Sequence, residues 1–243
     1  MSNKKSAQKN SPSKQADNKK QQQKSSGKKN SSNKQKQWFA LVILVAVTFI
    51  VFYPSLKCEF TNWDDGTYVT ENPMIWKLDA QTIKNIFINS NKKASDPWYM
   101  SFTPVSLNYH PLTMLSLAID YSFNKLNPYY YHLNNVLLHI LNVILLFVFV
   151  QMFVRGYNQR AASEKFRPAP FNVALVTSAL WAIHPMRVES VTWVAERKDV
   201  LYVFFFFLSL IFYSRYLNNK KISTMILCFL FFVCSCLSKG MAV

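Results

Sequence analysis

Among the residues able to do chemistry, the pair Asp64 and Asp65 stands out, set in the run Asn62, Trp63, Asp64, Asp65, Gly66, Thr67, Tyr68. Adjacent carboxylates beside aromatic rings repel each other and lose part of their hydration. Their proton affinities then separate, and one becomes available as a general base. The same Asp-Asp-Gly could equally close a turn. A second set, His132, Asn135, His139 and Asn142, recurs at intervals of three, four and three residues, which places all four on one side of a helix. Such groups avoid lipid, so this side either bonds to neighbouring helices or lines a wet cavity. His132 and His139 lie two turns apart, too far to share a metal, and no metal or organic cofactor is called for.

The third set follows an apolar stretch: His184, Arg187, Glu189, Thr192, Glu196, Arg197, Lys198 and Asp199. If the chain is helical beyond Pro185, then Glu189, Thr192, Glu196 and Asp199 share a face. Arg187, Arg197, Lys198 and, further on, Lys239 could hold an anion such as a phosphate, or could pair with these acids. Cysteine contributes nothing here: Cys58 lies in a polar segment, and Cys228, Cys234 and Cys236 in an apolar run, with neither disulfide nor zinc spacing.

The elements carrying these groups are membrane helices. Residues 1–37 hold eleven Lys, one Asp and no aromatic side chain, whereas the remainder is apolar except for defined polar segments. Ten of the sixteen net positive charges thus belong to a tail without stacking residues, which fits a disordered cytoplasmic tail beside anionic headgroups and not nucleic acid. Apolar runs near the ~17–25 residues needed to cross hydrocarbon predict five spans, at 38–54, 131–154, 171–188, 201–217 and 222–238. The segments containing Arg155, Arg160, Lys165 and Arg167, and then Arg215, Lys220 and Lys221, fall on the tail's side, as the positive-inside rule requires. The 57–130 segment is then an external loop. It is expected to be structured, with a short helix capped by Asp79 whose Ile83, Ile86 and Phe87 share a face, and an in-plane helix begun by Pro111. The expectation is an all-α polytopic membrane helix bundle with residues 1–37 as tail and 38–243 as membrane domain. Asp64, Asp65, the start of the second span, the 184–199 segment and Lys239 gather at one membrane face.

These stretches resemble a known family, the transmembrane and tetratricopeptide-repeat-containing protein O-mannosyltransferases and their bacterial relatives in the glycosyltransferase C superfamily. The likeness is carried by 62–68 (NWDDGTY), 109–115 (YHPLTML), 127–139 (NPYYYHLNNVLLH), 180–199 (LWAIHPMRVESVTWVAERKD) and 237–243 (LSKGMAV), in family order. It implies an inverting membrane glycosyltransferase that moves a mannose-like sugar from a polyprenyl-phosphate carrier to a protein Ser or Thr or another hydroxyl acceptor. Asp64 is then the general base, with Asp65 supporting it. His132, His139, His184, Arg187, Glu189, Arg197, Lys198 and Lys239 become candidates for substrate binding. Two departures stand out: the chain reaches Val243 without tetratricopeptide repeats, which reads as a fragment, and Lys239 precedes Gly240 where an acid is common in relatives. The competing readings are a lipid-linked sugar transporter, which would favour internal repeats and helices broken at mid-membrane, and a non-catalytic anchor for a repeat scaffold. The setting is a bacterial inner membrane or the endoplasmic reticulum, which the sequence does not separate.

Overall fold

The computed structural model describes residues 35–88, 109–161 and 166–240. Residues 1–34 of the expected tail, Lys165 and the residues beyond Gly240 lie outside them, while residues 35–37, expected in the tail, already belong to the first helix. Contacts divide the chain into Met1–Ile43, of which the start of the first helix is described, and Leu44–Val243, which holds everything else. The described residues form an all-α membrane bundle. Its helices are α1 (Gln35–Lys57), α2 (Ala80–Ile88), α3 (Pro111–Asn124), α4 (Pro128–Arg160), α5 (Pro170–Ala182), α6 (Arg187–Thr192), α7 (Arg197–Asn219) and α8 (Ile222–Ser238).

Local sequence explains where the helices begin. Pro111, Pro128 and Pro170 each occupy a first-turn position, where the missing N–H would have had no intrahelical partner. Asn127 caps α4 by accepting from Tyr129 N–H at 3.2 Å, and Asp79 caps α2 by accepting from Thr82 N–H at 2.7 Å. On α2, Ile86 is buried and Phe87 half-buried while Ile83 is 41% exposed, so the expected apolar face is narrower than its spacing suggested.

Among the described residues, three helices are long and apolar enough to cross a membrane: α1, α4, and α7 with the 3-10 turn that leads into it from Val194. The other two apolar helices are shorter. The third expected span, 171–188, ends at Ala182 after 13 helical residues, roughly 20 Å of rise. Pro185 is the cause, because it removes a donor and disfavours helical geometry at His184. The helix expected beyond it is also broken. Trp193 is extended, with ψ 125°, and separates α6 from the turn Val194–Glu196. Glu189 and Thr192 are therefore on a different helix from Glu196 and Asp199, and the single acidic face drawn from spacing does not form.

Two apolar clusters place the site. Phe52 and Leu56 of α1 pack with Val136 and Ile140 of α4, Val191 of α6 and Val200 of α7. Next to them in sequence on α4, Tyr131 joins Tyr68, Val69, Ile75, Ile86, Leu117 and Ala118 to Val194 and Ala195. The segment between α1 and α4 is thus packed against the α6–α7 junction.

Candidate functional site

The two aspartates are held differently. Asp65 is fully buried, and its Oδ2 accepts from Thr61 N–H at 2.8 Å and from the Thr61 hydroxyl at 2.9 Å. Its Oδ1 accepts from Ala195 N–H at 2.8 Å, which pins the first segment to the break before α7. Asp64 is half-buried and makes no hydrogen bond or ion pair with the described residues. It stands within electrostatic reach of Tyr68, as does Glu196. One carboxylate is thus committed to structure and its neighbour is left available.

Around them lies an ionic cluster. Lys198 Nζ is 2.8 Å from Glu196 Oε1, and Lys239 Nζ is 3.6 Å from Glu196 Oε2 and also bonds to Asp199. The Ser190 hydroxyl donates to the other Asp199 oxygen at 3.0 Å. The Lys198 ammonium also sits 5.0 Å from the centre of the Tyr68 ring, against which His110 is stacked at 5.3 Å. Burial lowers Lys239, but its hydrogen bond to Asp199 and the charges of Asp199 and Glu196 outweigh it, and the ammonium ends above its ordinary value. His110 moves the other way: burial, then the charges of Lys198 and Lys239, push it down to about 4 and keep it neutral. Burial also raises the Tyr68 phenol, helped by Asp64 and Glu196.

Behind the cluster, Arg197 is a buried structural hub. Its Nη2 lies 2.8 Å from Asp120 Oδ2 on α3 and donates to Tyr131 O at 2.9 Å, while Nε donates to Asn135. Asn134 donates to the other Asp120 oxygen at 2.7 Å. Through Nε and Nη2, Arg197 braces α3, α4 and α7.

The polar side of α4 is buried throughout and serves backbone. Asn135 Nδ2 donates to Trp193 O at 3.0 Å, His139 Nε2 meets Ala182 O at 2.9 Å, and Asn142 Nδ2 donates to Val200 O at 2.8 Å. Ala182 O lies at a helix end, where the regular ladder supplies no donor, and Trp193 O also accepts from Glu196 N–H at 3.2 Å. His132 lies between the backbones of Glu59 and Thr192. His139 is further enclosed by Trp181, stacked at 5.1 Å, and by the edge of Phe52 at 5.0 Å.

The proposed site residues therefore divide. Asp64, Asp65, Lys198 and Lys239 are brought together, with His132 and Arg197 directly behind them. His139 belongs to helix packing. His184 is exposed, its Nδ1 accepting from Met186 N–H at 3.2 Å, and Arg187 lies over Trp181 at 5.6 Å. Glu189 is exposed without a polar partner. The sequence reading did not single out Tyr68, His110, Asp120, Glu196 or Asp199 for the site itself. A lone Asp within the apolar run 111–123 was the readable signal, since such a charge needs a partner.

Comparison with known proteins follows the same stretches. Neither a family model nor a solved structure matches. The chain is similar to the mouse protein O-mannosyl-transferase TMTC4, 29% identical over 175 residues, which is 68% of this chain and 22% of that protein. It is 28% identical to the human protein O-mannosyl-transferase TMTC1 over 182 residues, 74% of this chain and 18% of that protein. With the Xenopus laevis protein O-mannosyl-transferase tmtc2 it is 33% identical over 180 residues, 73% of this chain and 19% of that protein. The chain thus aligns with about a fifth of the length of the curated relatives it matches.

Proposed function

The chain is a relative of the transmembrane and tetratricopeptide-repeat-containing protein O-mannosyl-transferases, and from that premise we propose that it carries the acceptor-activating part of a membrane mannosyltransferase. The donor in this reading is a polyprenyl-phosphate sugar and the acceptor is a Ser or Thr hydroxyl of a protein. The observation that carries it is the bond from Ala195 N–H to Asp65. It holds the uncommitted Asp64 beside Tyr68 and the Lys198 and Lys239 cluster, at the junction of two distant segments.

Asp64 takes the acceptor's hydroxyl proton as that oxygen attacks the anomeric carbon from the side opposite the carrier. The bond from the anomeric carbon to the phosphate oxygen breaks, its electron pair leaves with the polyprenyl phosphate, and configuration inverts. Charge develops on the departing phosphate, and Lys198 and Lys239 are the cations placed to offset it, exchanging Glu196 and Asp199 for phosphate oxygens. Asp65 and Arg197 are positioning residues in this scheme. The topology that goes with it is a multi-pass protein with a cytoplasmic N-terminus and the site on the opposite face.

The test is transfer from a radiolabelled polyprenyl-phosphate mannose to an acceptor peptide, in membranes holding the complete protein. Asp64→Asn should lower the rate by roughly 10²-fold or more, the range of a lost general base. Full activity in that variant would remove the mechanism.

A further inference from the structure

At the other end of α4 and α7 lies a cavity of about 420 Å³. Its polar wall comes from Arg160, Ser214 and Asn218, and Met152, Phe153 and Leu217 make the apolar side. Among the described residues, 151–161 and 209–223 contain Arg155, Arg160, Arg215, Lys220 and Lys221 and no acid. Three of these are occupied: Arg155 donates to Gln151 Oε1 at 2.9 Å, Arg215 lies over Phe212 at 5.3 Å and Lys220 over Tyr216 at 5.5 Å. Arg160, exposed in the last turn of α4, makes no hydrogen bond or ion pair with the described residues.

Gly156 is a second, independent sign. It sits inside α4, where glycine costs roughly 1 kcal/mol relative to alanine, yet a Cβ added there would meet nothing within 4 Å. No close packing demands the small residue; what its absence of side chain leaves is open volume in the cavity wall. Basic residues near helix ends are expected on topological grounds alone, but that rule requires no cavity. Two helix C-termini converge here, and their partial negative charge disfavours an anion by about half a charge each. The cations must outweigh this, so binding should depend on them visibly.

We propose that this cavity is a lipid site that takes the phosphodiester headgroup of an acidic phospholipid. Arg160 grips the phosphate, the Ser214 hydroxyl and the remaining N–H of Asn218, whose Nδ2 also donates to Ser214 O at 3.0 Å, supply polar contacts, and the start of an acyl chain lies along Met152, Phe153 and Leu217. This site is separate from the ionic cluster at the start of α4 and needs no sugar donor.

The experiment uses the full chain in phosphatidylcholine nanodiscs with and without phosphatidylglycerol, read by native mass spectrometry for retained lipid and by the thermal midpoint. Phosphatidylglycerol should stay bound and raise the midpoint. Arg160→Gln should weaken retention about fivefold, the equivalent of one cation at a lipid surface, and Arg160→Lys should restore most of it. Gly156→Leu should abolish retention without lowering the midpoint in phosphatidylcholine alone, while Gly156→Ala should behave as the parent. Equal retention by the parent and Gly156→Leu would overturn the proposal. So would an equal midpoint rise from inorganic phosphate without phosphatidylglycerol, which would assign the site to a free anion.

Discussion

The Asp65 carboxylate accepts from Thr61 twice and from Ala195 N–H across 130 residues of sequence, whereas Asp64 accepts from nothing described. Spacing revealed the pair but not this division, because the donor that decides it belongs to a helix break with no proline or glycine to announce it. Asp65→Ala leaves the Ala195 N–H buried and unpaired, which should cost about 1–3 kcal/mol. Asp64→Ala should stay within about 0.5 kcal/mol of the parent, as for a group without such partners; unfolding in mixed micelles distinguishes the two. His110 supplies the pH dependence. Its folded value, about 4, lies below the ordinary 6.5, so between these limits the unfolded chain binds the extra proton. Its contribution to stability is therefore complete above pH 6.5 and falls away as pH drops toward 4. The thermal midpoint should decline across that window, and His110→Asn should flatten the decline. An unchanged slope in that variant would mean that other groups control it.

Element boundaries were read where proline or a capping side chain sets them, at Asp79 and Pro111; the like signals at Asn127 and Pro170 were passed over, which put the start of α4 at 131 instead of 128, and boundaries set by tertiary bonds were illegible. The spacing of His132, Asn135, His139 and Asn142 correctly indicated one buried side of α4 and left open whether it lines a site or packs. The structure shows that three of the four bond the backbone of the α5–α7 stretch. A broken helix in lipid needs donors for its freed carbonyls, and α4 provides them. Membrane hydrogen bonds between helices average only about 0.6 kcal/mol, so Asn142→Ala, which frees a single bond, should be mild. Asn135→Ala should cost several-fold more, about 2–4 kcal/mol, since it removes one of the two donors to Trp193 O and also the acceptor of buried Arg197. Titrating both variants with a denaturing detergent measures the contrast, and equal losses would show that Asn135 is not the junction's support.

At the scale of the molecule, composition and periodicity conveyed the helical membrane class and the order of its apolar segments. The order of spans also gathered the charged segments at one membrane face; what it could not convey was the particular contacts, between residues distant in sequence, through which the described parts of the α1–α4 segment, the α6–α7 junction and Lys239 meet. The Arg197 and Asp120 pair shows why. Arg197 read as a candidate phosphate ligand, and Asp120 was unremarked within an apolar helix. Their side chains are 2% and 7% exposed and 2.8 Å apart, tying α7 to α3 behind the ionic cluster. Burial raises the Asp120 carboxyl, the charge of Arg197 opposes that rise, and neither group is comfortable without the other. Removing one partner strands a buried charge, so Arg197→Met or Asp120→Leu alone should cost about 3–5 kcal/mol. The double variant should recover a large part of that loss, short of all of it because Tyr131 O and Asn135 also lose their donor. A double-mutant cycle in mixed micelles reads the coupling directly, and strictly additive losses would show that the pair does not brace the site. If the brace acts on the site as well, the double variant should regain folding before it regains sugar transfer, since two apolar side chains fill the space but do not fix the start of α7, where Lys198 begins.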